Sequence, residues 1–189
     1  MLLMRHNSLL PPYHDYEALT QEQLDALATD RISPDIADLP ATLPLESGAL
    51  LEAAYFVCSQ SSRTQQTCMA LRQRLGLVQP VSEDSGLNEI FFVPSRLPRA
   101  IGESPLAAVR KTLYPAIATG SPAVEAAERL KTRMDTLLIQ YARVNAVLFS
   151  HGFFIRLLQS YVASKGDMEN ALKNIEKYPT VSYLELRRI

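Results

Sequence analysis

Short apolar runs recur along the chain between stretches of mixed polarity, and their lengths are typical of buried β-strands. Residues 2–5, 54–58 and 145–149 are the clearest of these runs. Residues 78–81 form a weaker one, and residues 180–186 alternate between apolar and polar as an edge strand does. The pattern therefore predicts a sheet of about five strands.

Apolar residues recur at helical spacing between these runs. Helices are predicted after a capping box at Thr20 and Gln23, before Gly76, after Ser121 and Pro122, and over residues 153–164. Residues 33–47 and 85–105 are rich in proline or glycine and are typical of irregular loops. Strands that alternate with helices favour an α/β fold with a mostly parallel central sheet between helical layers, a three-layer α/β/α arrangement.

Length and composition are those of one ordinary globular domain. The chain has 189 residues, 47% of them hydrophobic and 21% charged, so we expect a single domain over residues 1–189. A net charge of −1 disfavours a nucleic-acid partner, and no apolar run suits a membrane span. Two cysteines, Cys58 and Cys68, are too few for a disulfide framework, and we expect a cytoplasmic protein with reduced thiols.

Polar residues of catalytic type follow three of the predicted strands. Ligands of parallel sheets bind at the carboxyl ends of the strands, so groups in these positions are expected to meet at one edge. Two of the three histidines of the chain are among them. The candidate residues are Arg5, His6, Asn7, Ser59, Arg63, His151 and Gly152.

Such a cluster is suited to phosphoryl chemistry. Guanidinium groups at Arg5 and Arg63 match the oxygens of a phosphoryl group, and a helix that begins near Gly152 favours an anion. An imidazole can attack phosphorus to form a phosphohistidine, while a second, protonated histidine stabilises the equatorial oxygens. Arginine and imidazolium supply the positive charge, so the chemistry needs no metal or other cofactor, and the sequence has no readable zinc-ligand spacing.

The leaving alkoxide also needs a proton. Glu89 is the candidate acid because it follows the weak third strand, at the position expected of a strand end. Glu83 and Asp84 are rivals that have the character of exposed turn residues beside Gly86.

These residues resemble the histidine phosphatase superfamily, which is also called phosphoglycerate mutase-like. Arg5-His6 resembles the family's Arg-His signature, and Ser59 to Thr67 is similar to its Ser-x-x-x-Arg-x-x-x-Thr segment. Leu87-Asn88-Glu89 resembles Leu-x-Glu, and Ser150-His151-Gly152 resembles Ser-His-Gly. Asp15 to Gln23 is similar to the family's first helix, so the motifs occur in family order.

The resemblance implies a phosphoglycerate mutase-like fold and a phosphatase that acts on a small phosphorylated substrate or a phosphoprotein. His6 would be the nucleophile, Glu89 the proton donor, and Arg5, Arg63 and His151 the phosphate-binding groups. Asn7 stands where the family usually has glycine or alanine, and it is a candidate phosphate donor. Leu9 and Pro12 also depart from the family pattern. A catalytically inactive relative that binds a phosphorylated ligand or protein, and a phosphoglycerate mutase, therefore stay open as alternatives.

A small cap over the site is expected around residues 90–119. This segment carries four cations, and they form either a solvated basic face or a site for a second anionic group: Arg96, Arg99, Arg110 and Lys111. His14 is expected at the surface, where its loop could line the mouth of the pocket. The sequence leaves the oligomeric state open.

Overall fold

A five-stranded sheet organises the molecule, as shown by a computed structural model that describes residues 1–43 and 47–188. Its strand order is β3-β2-β4-β1-β5. Four strands are parallel and β5 joins β1 in the antiparallel direction. The strands are β1 (Leu2–Arg5), β2 (Tyr55–Cys58), β3 (Val81–Glu83), β4 (Ala146–Ser150) and β5 (Leu186–Arg188). The predicted mostly parallel α/β fold is confirmed.

The helices connect the parallel strands. They are α1 (Gln21–Ala28), α2 (Ser47–Leu51), α3 (Ser62–Leu75), α4 (Pro105–Ala118), α5 (Ala127–Tyr141), α6 (Gly152–Ala163) and α7 (Met168–Lys173). None of the helices described here is long and apolar enough to cross a membrane.

The central strands are buried on both faces, which explains why they are continuous apolar runs rather than alternating ones. Successive side chains of a strand point to opposite faces of the sheet. Leu3 and Leu148 accordingly pack in one core cluster, whereas Met4 and Phe149 pack in a second one. Each cluster is covered by helices, so the strand ends are held on a rigid support.

Two helix ends have the capping residues that the sequence predicts. Thr20 Oγ1 accepts from Gln23 N while Gln23 Oε1 accepts from Thr20 N, which forms the predicted capping box at the start of α1. Gly76 has a φ of 63° and ends α3 in the left-handed conformation that glycine adopts without steric cost. Both predictions are confirmed.

The predicted helix start at Ser121 and Pro122 is wrong. The helix begins at Ala127, and the residues before it pair with the loop that follows Glu89. Val93 N donates to the Ala123 carbonyl and Glu125 N donates to the Phe91 carbonyl. Residues 122 and 123 form a turn, and this pairing holds the backbone at Ala123 and Glu125 against the loop, so tertiary contacts have overridden a local helix signal.

The two weakest strand predictions are shifted. The third strand occupies residues 81–83 instead of 78–81 and is exposed throughout. The last strand covers residues 186–188 instead of 180–186, because a turn interrupts the segment: Leu184 has a φ of 55° and its N–H donates to the Arg5 carbonyl. The predicted loop 33–47 has no helix or strand through residue 43, Pro44 lies outside the described residues, and Ser47 already begins α2.

Candidate active site

The carboxyl ends of β1, β2 and β4 bring the predicted site residues together. In the register of the sheet Arg5 is paired with Ser150, and Cys58 is paired with Phe149. The residue after each strand therefore leaves the sheet at the same edge. The rings of His6 and His151 lie 5.3 Å apart between their centroids, which confirms the convergence that the sequence predicts.

A cavity of about 230 Å³ opens at this edge. One part of its lining, which we call the strand-end group, comprises Arg5, His6, Arg63, Glu89, His151 and Gly152. A second part, which we call the covering wall, comprises Leu24, Leu27, Ala28, Phe92, Leu106 and Phe153. The remaining lining residues are His14, Asp15, Tyr16, Glu17, Arg110, Thr180 and Tyr183.

His6 is held as a neutral imidazole with one nitrogen free. Its Nδ1 lies 2.6 Å from the Asn7 carbonyl oxygen, which can only accept, so Nδ1 carries the proton. Nε2 then has an open lone pair and no hydrogen bond to any described residue. Burial, followed by the guanidinium groups of Arg63 and Arg5, lowers the pKa of His6 well below its usual value. The unprotonated form is the one that can act as a nucleophile.

His151 belongs to a directed chain of hydrogen bonds. Arg63 Nε donates to His151 Nδ1 over 3.2 Å, so the proton of the neutral ring is on Nε2, which donates to Ser59 Oγ over 2.9 Å. Ser59 Oγ lies 2.8 Å from Thr64 Oγ1, and Thr64 Oγ1 donates to the Ser61 carbonyl. Every member of the chain is thus satisfied.

The charge of His151 differs from the expected one. Burial, then the guanidinium of Arg63, lowers the pKa of His151 well below its usual value, which favours the neutral ring. The expectation of a protonated second histidine neglected Arg63, whose N–H occupies the nitrogen that a proton would need.

Some of the N–H groups of Arg5 and Arg63 bind protein partners, and these contacts hold both guanidinium groups in place. Arg5 Nη1 donates to the Val181 carbonyl over 2.6 Å, and its Cζ lies 4.2 Å from the centroid of the Tyr183 ring. Arg63 is only 7% exposed, and its Nη1 lies 3.6 Å from Asp30 Oδ1. Nη2 of each arginine and Nε of Arg5 make no hydrogen bond to the described residues, and these donors are left for an anion.

Gly152 is the first residue of α6 and lies against Arg5. A side chain at this position would place its Cβ 3.3 Å from both Cζ and Nε of Arg5. Glycine therefore allows the guanidinium to approach the helix N-terminus, where the helix dipole favours an anion.

Glu89 lies beside the same helix N-terminus. Its Oε1 accepts from Phe154 N over 2.8 Å and from Ile90 N over 3.0 Å, whereas Oε2 accepts only from Phe153 N at 3.3 Å. Burial raises the pKa of Glu89 above its usual value, against the lowering effect of these amides. Oε2 is the less occupied oxygen and the one better able to carry a proton.

The rivals of Glu89 have other contacts. Asp84 Oδ1 accepts from Gly86 N, and its Oδ2 accepts from the Tyr141 hydroxyl. Glu83 is exposed on the edge strand. Neither residue lines the cavity, so Glu89 is the one of these three candidates that the fold brings to the same cavity as the histidines.

Comparison with known proteins identifies the family of the chain. A sequence model of the histidine phosphatase superfamily (branch 1) matches residues 46–188. The chain belongs to the histidine phosphatase superfamily. The match begins after β1, so the Arg5-His6 segment is assigned by its place at the sheet edge and by its resemblance to the family signature. No curated protein matches the chain at a significant level.

Solved structures share the fold of this superfamily member at low sequence identity. A mycobacterial structure described as hydrolase 1 has a TM-score of 0.59 at 16% identity, with 98% of this chain and 86% of that chain covered. Mycobacterial glucosyl-3-phosphoglycerate phosphatase has a TM-score of 0.58 at 19% identity, covering 98% and 87%. Its complex with inorganic phosphate has a TM-score of 0.58 at 17% identity, covering 98% and 86%. At these identities the likeness shows the fold alone.

Asn7 has a different role from the predicted phosphate donor. Its Nδ2 donates to the Ala37 carbonyl over 2.8 Å and more weakly to that of Asp38, and its backbone N–H donates to Thr67 Oγ1. Asn7 is buried and does not line the cavity. In this superfamily member the residue after the nucleophile candidate ties the loop at Ala37 and Asp38 to the strand end.

The cap cations do not form a free basic site. Arg96, Arg99 and Lys111 are exposed and do not line the cavity, and Arg99 Nη1 donates to Gln21 Oε1. Arg110 reaches the cavity, but it forms an ion pair with Glu17. His14 is exposed and lines the cavity mouth, as its loop position allowed.

A buried ion pair that the sequence analysis missed holds the Glu89 segment. Arg133 Nη1 contacts both oxygens of Glu125 at 3.1 and 2.9 Å, and Arg133 Nη2 donates to the Asn88 carbonyl. Glu125 Oε2 also accepts from Phe91 N. The pair thus fixes the backbone on both sides of Glu89. Helical periodicity does not predict this pair, because Glu125 lies before the start of α5 whereas Arg133 lies within it.

The described residues contain no cluster of three or more histidine, cysteine, aspartate or glutamate side chains suited to a metal ion. The positive charge of the strand-end group comes from Arg5 and Arg63. These two arginines are the groups that would face the oxygens of a phosphoryl group.

Proposed function

We propose that this histidine phosphatase superfamily member is a metal-independent phosphomonoester hydrolase that acts through a phosphohistidine on His6. One observation carries the proposal. A buried, neutral imidazole has Nδ1 fixed on the Asn7 carbonyl and Nε2 open, in a cavity lined by Arg5 and Arg63. A nucleophile with its lone pair free beside two guanidinium groups is suited to attack a phosphate monoester.

In the first half-reaction, His6 Nε2 attacks phosphorus as the bond from phosphorus to the ester oxygen breaks. The leaving oxygen takes its proton from Glu89, whose raised pKa supports the protonated form at the start. Arg5, Arg63 and the N-terminus of α6 at Gly152 stabilise the charge on the equatorial oxygens. The alcohol leaves with that proton and the phosphoryl group stays on His6.

In the second half-reaction, water replaces the alcohol. The Glu89 carboxylate accepts a proton from the water as its oxygen attacks phosphorus, and the bond between phosphorus and His6 Nε2 breaks. Inorganic phosphate leaves, with His6 neutral and Glu89 protonated again. Each group therefore returns to its starting state without a co-reactant other than water.

The Ser59–His151–Arg63 chain supports this scheme by holding the two phosphate-binding side chains in one arrangement. A dianionic phosphoryl group favours the imidazolium form of His151, and protonation at Nδ1 would require Arg63 Nε to leave that nitrogen and turn to the phosphoryl oxygens. Membership of the superfamily also supports phosphatase chemistry, and one neighbour of the same fold holds inorganic phosphate.

The test is turnover of p-nitrophenyl phosphate with and without EDTA, combined with quenching of a rapid reaction with radiolabelled substrate in alkaline detergent, which preserves phosphohistidine. We expect phosphate release that resists chelation and a labelled protein whose phosphate is acid-labile. His6→Ala should lose both signals. Vanadate binding without turnover of any phosphate ester would instead favour the inactive, ligand-binding relative.

A phosphoglycerate mutase is the weaker candidate. Such an enzyme must recognise the carboxylate of its substrate in addition to the phosphoryl group, and Arg110, the cap cation that lines the cavity, is paired with Glu17. Isomerisation of phosphoglycerate without net phosphate release would overturn this preference.

A further inference from the structure

The two parts of the cavity lining differ in chemistry. The strand-end group is polar and cationic, whereas the covering wall is apolar. The wall draws on several elements, with α1, α4 and α6 each contributing side chains. It is a packed surface, since the rings of Phe92 and Phe153 meet edge to face at 5.7 Å between their centroids. A substrate group that lies against the covering wall would therefore meet carbon atoms, whereas the polar side chains outside both groups, such as His14, Asp15 and Glu17, line the mouth of the cavity.

The charges near the covering wall do not offer a site for a second anion. Glu17 accepts from Arg110 and from Ser104 Oγ, so the guanidinium is already paired. Asp15 is a further acid at the mouth of the cavity. Two carboxylates against one arginine leave this region with an excess of negative charge, which repels an additional carboxylate or phosphate.

The size of the cavity limits what can be enclosed. A dry cavity of roughly 150 Å³ lined by apolar side chains is large enough to hold benzene. The cavity of this protein, at about 230 Å³, has room for a group of that size beside a phosphoryl group. Aromatic rings also border the nucleophile, because Tyr183 lies 5.8 Å from His6 and 6.5 Å from Tyr16 between ring centroids.

We infer that the preferred substrate is a small phosphate monoester of an apolar or aromatic alcohol that carries no second anionic group. This inference rests on the proposed hydrolase function and assigns its substrate class. The phosphoryl group binds the strand-end group, and the alcohol portion is enclosed by the covering wall.

Benzyl phosphate and glycerol 3-phosphate test the inference directly. Both release a primary alcohol, so their intrinsic reactivities are similar and their difference reports binding of the alcohol portion. We expect kcat/KM for benzyl phosphate to be higher by at least about tenfold, since hydrophobic pockets discriminate by roughly 10- to 200-fold per methylene. Equal or better turnover of glycerol 3-phosphate would overturn the inference while leaving the hydrolase proposal intact.

A matched pair of variants on α1 locates the preference. Ala28 lines the cavity, whereas Ala26 is a partly buried residue of the same helix that does not line it. Ala28→Asn should lower the ratio of benzyl to glycerol phosphate turnover by about tenfold, because it places an amide in the covering wall. Ala26→Asn should leave this ratio unchanged. An equal effect of both variants would contradict the assignment of the wall.

The absence of a second anion site has its own test. Glu17→Gln removes one carboxylate and releases Arg110, so kcat/KM for 3-phosphoglycerate should rise about tenfold relative to benzyl phosphate. Glu22→Gln, on an exposed residue of α1 outside the cavity lining, is the control and should leave the ratio unchanged. A wild-type preference for 3-phosphoglycerate over benzyl phosphate would contradict the inference.

Binding measurements decide the inference even if no ester is hydrolysed. Benzylphosphonate should bind the wild-type protein at least tenfold more tightly than methylphosphonate, by titration calorimetry, and Ala28→Asn should reduce this difference. Lack of turnover with this result would refute the hydrolase proposal and keep the substrate class as a ligand class. Equal affinities would refute the substrate class itself.

Discussion

The strand-end group and the covering wall form one cavity but depend on different parts of the sequence. The strand-end group mostly follows strands whose register sets its positions, and it contains charged or titratable side chains at almost every position. The covering wall comes from helices and loops that meet only in the folded chain, and it is apolar. Under the proposed function, the sheet positions the groups that react, and the surrounding segments select among substrates.

Changes in the two regions should therefore have different signatures. Variants of the strand-end group should lower the turnover of every phosphate ester. Variants of the covering wall should change the ratio between esters. The predictions below are ordered by the size of the expected effect and test whether this division is real.

Replacement of the nucleophile should have the largest effect. His6→Ala removes the atom that bonds to phosphorus, and kcat/KM should fall by roughly 10⁴-fold or more for all substrates. His14→Ala, at the exposed mouth of the same cavity, should cost less than about tenfold, since nothing in the geometry gives that ring a bonding role. Steady-state kinetics check both values, and near wild-type turnover in His6→Ala would remove the covalent mechanism.

Arg63→Lys should be the next largest change. Lysine keeps the positive charge but loses both the planar fork and the Nε–H that donates to His151. We expect kcat/KM to fall by roughly 10²- to 10³-fold. Arg72→Lys on the same helix, outside the cavity lining, is the matched control. A similar small loss in both would show that charge alone is sufficient at position 63.

Glu89→Gln tests proton transfer through the pH profile. The active form needs His6 neutral and Glu89 protonated. Activity should thus fall as the pH drops through the lowered pKa of His6, below 6.5, and fall as the pH rises through the raised pKa of Glu89. The variant should lose roughly 10²-fold in kcat for benzyl phosphate together with the high-pH limb.

An activated leaving group provides the control for this interpretation. Release of p-nitrophenolate needs little protonation, so Glu89→Gln should retain more activity on p-nitrophenyl phosphate than on benzyl phosphate. Equal losses on both esters, with an unchanged high-pH limb, would show that Glu89 supports the helix N-terminus and does not transfer the proton.

The smallest expected effect concerns Glu125, which acts through the segment that carries Glu89. Glu125→Gln weakens the ion pair with Arg133, and the free energy of unfolding should decrease by about 1–3 kcal/mol. Turnover should fall about tenfold with a shifted high-pH limb, because Glu89 is less firmly placed. Glu128→Gln, exposed on α5, is the control. Loss of stability without any change in the pH profile would show that the pair of Glu125 and Arg133 has a structural role alone.

The sequence predicts the strand-end group well because its signals are local. Apolar runs mark where β1, β2 and β4 lie, and parallel strands present their carboxyl ends at one edge, so His6 and His151 could be placed together before any coordinates. The side-chain partners were harder to predict. The Asn7 amide binds backbone carbonyls thirty residues away in sequence, and a loop position carries no pattern that reports such a contact.

Long-range ion pairs could not be predicted from the sequence for the same reason. The sequence predicts a free cation at Arg110. In the structure α4 packs beside Glu17, and Arg110 pairs with this residue, which is 93 residues away in sequence. Ser121 and Pro122 locally predict the start of a helix. In the structure, pairing with the loop after Glu89 prevents a helix before α5. Where a residue's partner lies far along the chain, composition and periodicity do not identify it.

The position of β1 in the sheet has a consequence for biosynthesis. This strand lies between β4 and β5, which are both translated more than a hundred residues later. His6 is translated well before its neighbours in the sheet and before Tyr183, whose ring lies beside Arg5 and His6. The cavity around His6 therefore cannot form in a nascent chain until the segment that carries Tyr183 has been translated.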